Sequence, residues 1–267
     1  MPADPELELD EQPDSRIDHA ASIEYWNSVA PTPSGMLGGY PQVSAIDLRG
    51  SSAFLAKVRR LIPSTGSGNI KLGVDCGAGI GRVTEGFLNK VCDIVDIVEP
   101  VEKFVDVIKQ GKLYKEGKIG DIYITGLENW TPTKSYDLIW HQWCMNHLTD
   151  AQLVDCLVRC KDALSETGLV VVKENICSDN TRDHYDDVDR TVTRTDEKFR
   201  KLFRQAGLKV LWSEEQMGFP QRLKLLPDNM AGEKLRIGSW PNLHEWAGNS
   251  GKHQVRKTPG YLQSKSS

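Results

Sequence analysis

The chain has 267 residues, a formal net charge of −4, and 26% charged against 39% hydrophobic residues. That length suits one large domain with tails, and the balance is that of a water-soluble globular protein. An acidic net charge argues against nucleic-acid partners, no apolar run is long enough to span a bilayer, and the acidic N-terminus has no signal-peptide pattern.

Residues 1–20 are rich in Asp, Glu and Pro with few large apolar side chains, the composition of a disordered acidic tail. A short helix carrying Tyr25 and Trp26 is expected from Ile23, ended by Pro31 and Pro33. Gly35 to Tyr40 reads GMLGGY and is expected to form a mobile apolar flap or a packed turn. A helix over Asp47–Arg60 and a loop over Pro63–Gly68 follow.

Strand and helix then alternate. Strands are expected at Leu72–Cys76, Asp93–Glu99, Ile122–Thr125, Tyr136–Trp140, Gly168–Lys173 and Leu208–Trp212. Helices are expected around Thr84–Asn89 and over Val101–Gln110, Asp150–Leu164 and Glu197–Gln205. In the third of these, Leu153, Cys156, Leu157, Cys160 and Leu164 share one face. The run GLVVVK is continuous and apolar, as in strands buried on both faces of a parallel sheet. The rhythm implies an α/β fold, a doubly wound and mostly parallel sheet with an N-terminal helical extension.

The stretch Lys71–Arg82, KLGVDCGAGIGR, combines a strand, a turn with glycines at 77, 79 and 81, and the start of a helix. Glycine turns tightly and lets a ligand approach the backbone, and the helix that follows offers free N–H groups. The spacing is one residue short of the dinucleotide fingerprint, and Gly81-Arg82-Val83 lacks the phosphate-loop ending. Asp-x-Gly-x-Gly-x-Gly suits a loop that holds the amino-acid half of S-adenosylmethionine.

In such sheets ligands sit at the carboxyl ends of the strands. Glu99 ends the second strand, placed to accept ribose hydroxyls. Gly126, Leu127 and Glu128 follow the third, placed to border an adenine ring. His141, Gln142, Trp143, Asn146 and His147 follow the fourth, and Lys173, Glu174 and Asn175 end the fifth. The run Asp183–Arg190, DHYDDVDR, comes next and suits a cationic substrate. The cysteines at 76, 92, 144, 156, 160 and 177 form no paired Cys-x-x-Cys, and no histidine lies between Cys156 and Cys160. No metal is expected, and the thiols read as reduced ones in a cytoplasmic protein, with the nucleus as the alternative.

GMLGGY, DCGAGIGR, IWHQWCMNHLTD, and KEN followed by DDVD together resemble the alpha-N-terminal protein methyltransferases, and a fungal-type member in particular. The resemblance covers about Ile23 to Pro227. It implies a seven-stranded Rossmann-like methyltransferase sheet over residues 21–227 and S-adenosyl-L-methionine as cofactor. The implied reaction is methylation of the α-amine of proteins with an exposed N-terminal Xaa-Pro-Lys, ribosomal proteins among them, by a monomer with neither nucleic-acid nor membrane partners. It places the cofactor on Gly77, Arg82, Glu99, Pro100, Val101, Leu127, Glu128 and Gln142, with Arg82 toward the cofactor carboxylate. It places the peptide on Leu37, Gly38, Trp143, Asn175, Asp186 and Asp189, and the proton transfer on His147 and Asp189. Tyr25 and Trp26 match residues near the cofactor and the N-terminal lid. Family members usually carry Asp at the position of Glu99 and Gln at that of Glu128.

An α-amine with a pKa of roughly 7.7–8.0 needs only a weak base, which a histidine near 6.5 would supply. Residues 228–267 depart from the family pattern and read as an atypical C-terminal extension, with the last antiparallel strand expected to be incomplete. The competing readings are a small-molecule methyltransferase on the same fold, and a non-catalytic binding module.

Overall fold

The computed structural model describes residues 12–62, 68–177, 181–216 and 230–239. The segments expected as an acidic tail, a loop after Pro63 and a C-terminal extension fall largely outside these residues.

Order begins earlier than composition suggests. Pro13–Arg16 forms a 3-10 turn, and α1 (His19–Ser28) starts where the Asp18 side chain accepts the Ala21 N–H at 3.1 Å. Long-range contacts hold this segment: Asp14 accepts the Asp150 N–H at 2.8 Å, and Arg16 pairs with Asp187 at 2.7 Å. The flap is partly helical. Thr32 caps α2 (Pro33–Met36), with proline at the first position, where a missing N–H is harmless. Leu37 to Tyr40 then turns through Gly38 and Gly39, both at positive φ.

After α3 (Ser44–Leu61) comes β1 (Ile70–Cys76), then α4 (Arg82–Gly86), only five residues long and shorter than the pattern from Val83 suggests. β2 (Cys92–Val98), α5 (Glu102–Gln110), α6 (Lys112–Lys115) and β3 (Ile119–Tyr123) follow, β3 lying about two residues before its expected place. β4 (Tyr136–Gln142) and α7 (Asp150–Asp162) lead to β5 (Leu164–Cys177). β6 (His184–Asp186) and β7 (Thr191–Thr193) make a separate antiparallel hairpin. α8 (Asp196–Gln205), β8 (Lys209–Gln216) and β9 (Met230–Ser239) complete the described chain.

The main sheet has the order β3-β2-β1-β4-β5-β9-β8. The five strands from β3 to β5 are parallel, and β9 runs antiparallel to both β5 and β8. The fold is therefore α/β around a mostly parallel sheet. β9 comes from the stretch after Pro227 that its sequence sets apart, and it pairs with Val170–Cys177 of β5. Backbone pairing accepts it although its residues lack a clear alternation.

Both faces of the parallel sheet are covered, and β5 shows why. Val170 and Val172 pack with Leu153, Cys156 and Leu157 of α7 and with Phe199, Leu202 and Phe203 of α8. Their neighbours Leu169 and Val171 point the other way, into a cluster with Phe54, Leu55 and Val58 of α3. Successive strand side chains alternate in direction, so a strand buried on both faces must be apolar throughout.

α7 begins with a reciprocal cap: the Thr149 side chain accepts the Gln152 N–H, and the Gln152 side chain accepts the Thr149 N–H. Leu157→Ala empties a fully buried site and should cost about 2–5 kcal/mol, whereas Thr149→Ala removes one cap and should cost about 1 kcal/mol. Urea unfolding of the two variants checks the ranking.

Candidate active site

The exits of β1 and β2 form the floor. Gly77, Gly79 and Gly81 have φ of 66°, 56° and 79°, a region that side chains disfavour. A Cβ on Gly77 would lie 2.4 Å from the Cβ of Cys144, and one on Gly79 would lie 2.8 Å from the Met36 sulfur. Asp75 secures the helix after the loop, accepting both the N–H and the hydroxyl of Thr84, at 3.1 and 2.6 Å. Glu99 is fixed by two amides, accepting Gly79 N–H at 2.7 Å and Val101 N–H at 2.9 Å. Burial outweighs these bonds and raises its carboxyl to about 7.

One wall is built around Asp47, which lies fully buried in the first turn of α3. Its carboxylate accepts Arg82 Nη1 at 2.6 Å, Gln142 Nε2 at 2.9 Å, and Lys173 Nζ. The Gln142 amide oxygen accepts the Trp140 indole N–H at 3.1 Å. Trp143 takes a left-handed φ of 57°, its N–H donating to the Lys173 carbonyl at 3.0 Å. Its ring lies 5.2 Å from the Arg82 guanidinium carbon and 5.7 Å from Lys173 Nζ.

The roof is α1. Ser22 Oγ lies 2.9 Å from His147 Nδ1, and the Trp26 and His147 rings meet edge to face at 6.2 Å. Burial and the nearby His19 push the imidazole down to about 4. The expectation of an ordinary histidine near 6.5 is therefore corrected: cover by α1 disfavours the charged ring.

These parts enclose a cavity of about 280 Å³. Gly77, Arg82, Glu99, Pro100, Val101, Leu127, Glu128 and Gln142 all line it, as do Trp143 and His147. Leu37, Gly38, Asn175, Asp186 and Asp189 do not. Leu37 is buried within the flap, Gly38 is exposed in it, and Asn175 lies on β5 in register with Glu233. Asp186 and Asp189 belong to the β6–β7 hairpin, and the Tyr25 phenol is raised by burial first and then by the charges of Asp189 and Asp186. Tyr25 packs edge to face on Trp26 at 5.2 Å, and Trp26 lines the cavity. Asp189 accepts the Thr191 hydroxyl at 2.6 Å, and burial raises its carboxyl with help from Asp186. Arg194, buried beneath the hairpin, anchors it by pairing with Asp150 at 2.9 Å.

His19, Ser22 and Phe104 also line the cavity without having been singled out by sequence, together with Ile23 of the expected first helix and Met36 of the expected flap. Ile23 had a signal in the helix that carries Trp26, and Ser22 lies one residue before that expected helix. Asp47 had none, because an acid in the first turn of a helix reads as an ordinary dipole partner.

His141 belongs inside β4, not after it, and is fully buried. It reaches Cys160 at 3.5 Å, and its ligand atom and those of Cys156 and Cys160 lie within 4.8 Å of one another. Spacing along the chain hid this cluster, since the histidine comes from another element. The hydrogen bond with Cys156 and then burial raise the Cys160 thiol, and burial lowers the imidazole to about 3, so the two meet as a neutral thiol and a neutral ring.

Residues 14–231 match the family described as AdoMet dependent proline di-methyltransferase. The chain belongs to this family. The Schizosaccharomyces pombe alpha N-terminal protein methyltransferase 1 is 42% identical over 210 residues, covering 77% of this chain and 91% of that one. The Xenopus laevis N-terminal Xaa-Pro-Lys N-methyltransferase 1-A is 41% identical over 201 residues, covering 74% and 88%. A solved SAM-dependent methyltransferase from Leishmania major superposes with a TM-score of 0.71 at 30% identity, over 82% of this chain and 81% of that one. A Burkholderia thailandensis 1,6-didemethyltoxoflavin-N1-methyltransferase bound to S-adenosylhomocysteine shares the fold at 16% identity, with a TM-score of 0.60 over 82% and 87%. As a member of this methyltransferase family, the protein is an S-adenosylmethionine-dependent enzyme. The cavity fits that cofactor, having a backbone cradle too close to Cys144 and Met36 for side chains, a fixed acid at Glu99 and an apolar border at Leu127. Among the described residues no helix is long and apolar enough to cross a membrane.

In ligand-free protein the Glu99 carboxyl should titrate near pH 7, and the His147 ring should stay neutral down to about pH 4. Carboxyl-carbon and imidazole NMR titrations measure both, and a His147 midpoint near 6.5 would contradict the cover by α1.

Proposed function

We propose that the protein methylates the α-amino group of polypeptides that expose an N-terminal Xaa-Pro-Lys, ribosomal proteins among them. The observation that carries this reading is the pair of acids Asp186 and Asp189, whose charge is felt by Tyr25, which packs on the cavity-lining Trp26. We also read the sheet as the doubly wound, seven-stranded methyltransferase type, supported by the burial of both its faces.

S-adenosylmethionine supplies an electrophilic methyl group on a sulfonium. Gly77, Pro100, Val101 and Leu127 would shape the space for it, Glu99 would accept ribose hydroxyls, Glu128 would border the adenine, and Gln142 and Arg82 would hold the amino-acid end. Arg82 donates to Asp47 and Ser44 through Nη1, so its other nitrogens can reach a carboxylate.

The substrate amine must shed a proton to expose a lone pair. At pH 7 on the order of a tenth of free α-amines are already neutral, against a few in ten thousand lysines. Asp189 is the better acceptor, since burial and Asp186 make it more basic than an exposed aspartate. His147, pushed down to about 4, is too weak to hold a proton at neutral pH, and its bond to Ser22 suits positioning. Trp143 offers a face for the proline ring. Asp186 supplies charge for the lysine at the third position, with Leu37, Gly38 and Asn175 bordering the peptide.

Radiolabelled methyl transfer to a Pro-Pro-Lys hexapeptide should succeed, and transfer to the same peptide acetylated at its N-terminus should fail. Labelling of the acetylated peptide would redirect the activity to lysine. Asp189→Asn should lower kcat by about 10²–10⁴-fold while S-adenosylhomocysteine affinity stays within twofold of wild type (about 0.4 kcal/mol), measured by kinetics and calorimetry.

Ribose hydroxyls bind the ionised Glu99 better than the neutral acid. Cofactor binding therefore releases a proton, and affinity falls as pH drops through about 7, by up to about tenfold per unit. Calorimetry from pH 8.5 to 5.5 should show this fall, and Glu99→Gln should flatten it.

A further inference from the structure

We infer that Asp47 is a positioning residue that couples the cofactor grip to the peptide wall. The inference rests on the proposed roles of Arg82, Gln142 and Trp143 and extends them to a residue outside the cavity. Asp47 touches neither ligand space, yet its single carboxylate receives three side chains from three elements: Arg82 of α4, Gln142 of β4 and Lys173 of β5. It is entirely buried, as is Lys173, and Arg82 is nearly so, with its side chain 9% exposed.

Each partner depends on this carboxylate for its pose. Besides Asp47, Arg82 has the Ser44 hydroxyl at 3.3 Å, a long bond to a neutral group. Gln142 is held at its oxygen by Trp140 and at its nitrogen by Asp47, and loss of the second bond lets the amide turn. Lys173 also contacts the Asp47 carbonyl and the Ser51 hydroxyl, both at 3.3 Å, so its ammonium is drawn to the first turns of α3. Trp143 is the common neighbour: its ring lies near both cations, and its left-handed backbone is tied to the Lys173 carbonyl. A residue in that conformation persists only where its surroundings hold it. Removing the carboxylate takes away the one acceptor that Arg82, Gln142 and Lys173 share, and their arrangement around the indole loosens. Arg82 and Gln142 leave the cofactor end, and Trp143 leaves the peptide wall.

A merely structural role would be to neutralise buried Lys173, and the double variant Asp47→Asn with Lys173→Met separates the two. Expected for Asp47→Asn is a cofactor KM and an S-adenosylhomocysteine Kd raised at least about tenfold, with kcat at saturating cofactor reduced less. The double variant should melt like wild type and still bind S-adenosylhomocysteine about tenfold more weakly. Wild-type affinity in either variant, or a loss confined to kcat, overturns the inference. A double variant that cannot fold assigns Asp47 to folding alone and overturns it as well. Labelling of the Pro-Pro-Lys hexapeptide by the wild-type protein, run alongside, shows whether the proposed activity stands whatever the variants do.

Discussion

The site exists because Gly77 has no side chain. At that position the end of β1 passes so close to the end of β4 that a Cβ would meet Cys144 at 2.4 Å, and the backbone is left-handed as well. The approach brings the glycine loop, Glu99 and the Gln142–Trp143 wall around one cavity. Glu174 locks the other side of the contact by accepting the Cys144 and Met145 N–H groups, both at 2.7 Å. Two exits of a parallel sheet are thus pinned by a close backbone contact and a buried carboxylate, and the site is built on rigid elements.

Around that fixed centre lie parts attached by polar contacts. α1 closes over the cavity through Ser22–His147 and the Trp26 ring, and Met36 of the flap rests on Gly79. The acidic hairpin is tied to the N-terminal segment by Arg16, which pairs with Asp187 and lies 4.1 Å above the Tyr185 ring. The Arg16–Asp187 pair is exposed and weak, so the acidic wall can yield to a peptide more readily than the floor.

Much of this was legible because its signals are local. Asp75 and the glycines announce a strand-turn-helix, the run Leu169–Val172 announces a strand covered on both faces, and Thr149 announces a helix start. The eight residues expected at the cofactor all line one cavity, since strand ends in a parallel sheet lie side by side. His147 and His141 were harder. A histidine's proton affinity depends on what covers it, and their covers come from Ser22 and Trp26 in one case and from the cysteines of α7 in the other.

The sequence by itself determined the alternation of elements, the glycine loop and the acids that follow the strands, because backbone conformation and side-chain period are properties of neighbours in the chain. Only the tertiary structure decided that Asp47 gathers Arg82, Gln142 and Lys173, that Met230–Ser239 enters the sheet beside β5, and that His147 is a weak base. Each depends on groups separated by tens of residues, where burial sets the energy of a charge and backbone pairing needs no side-chain pattern.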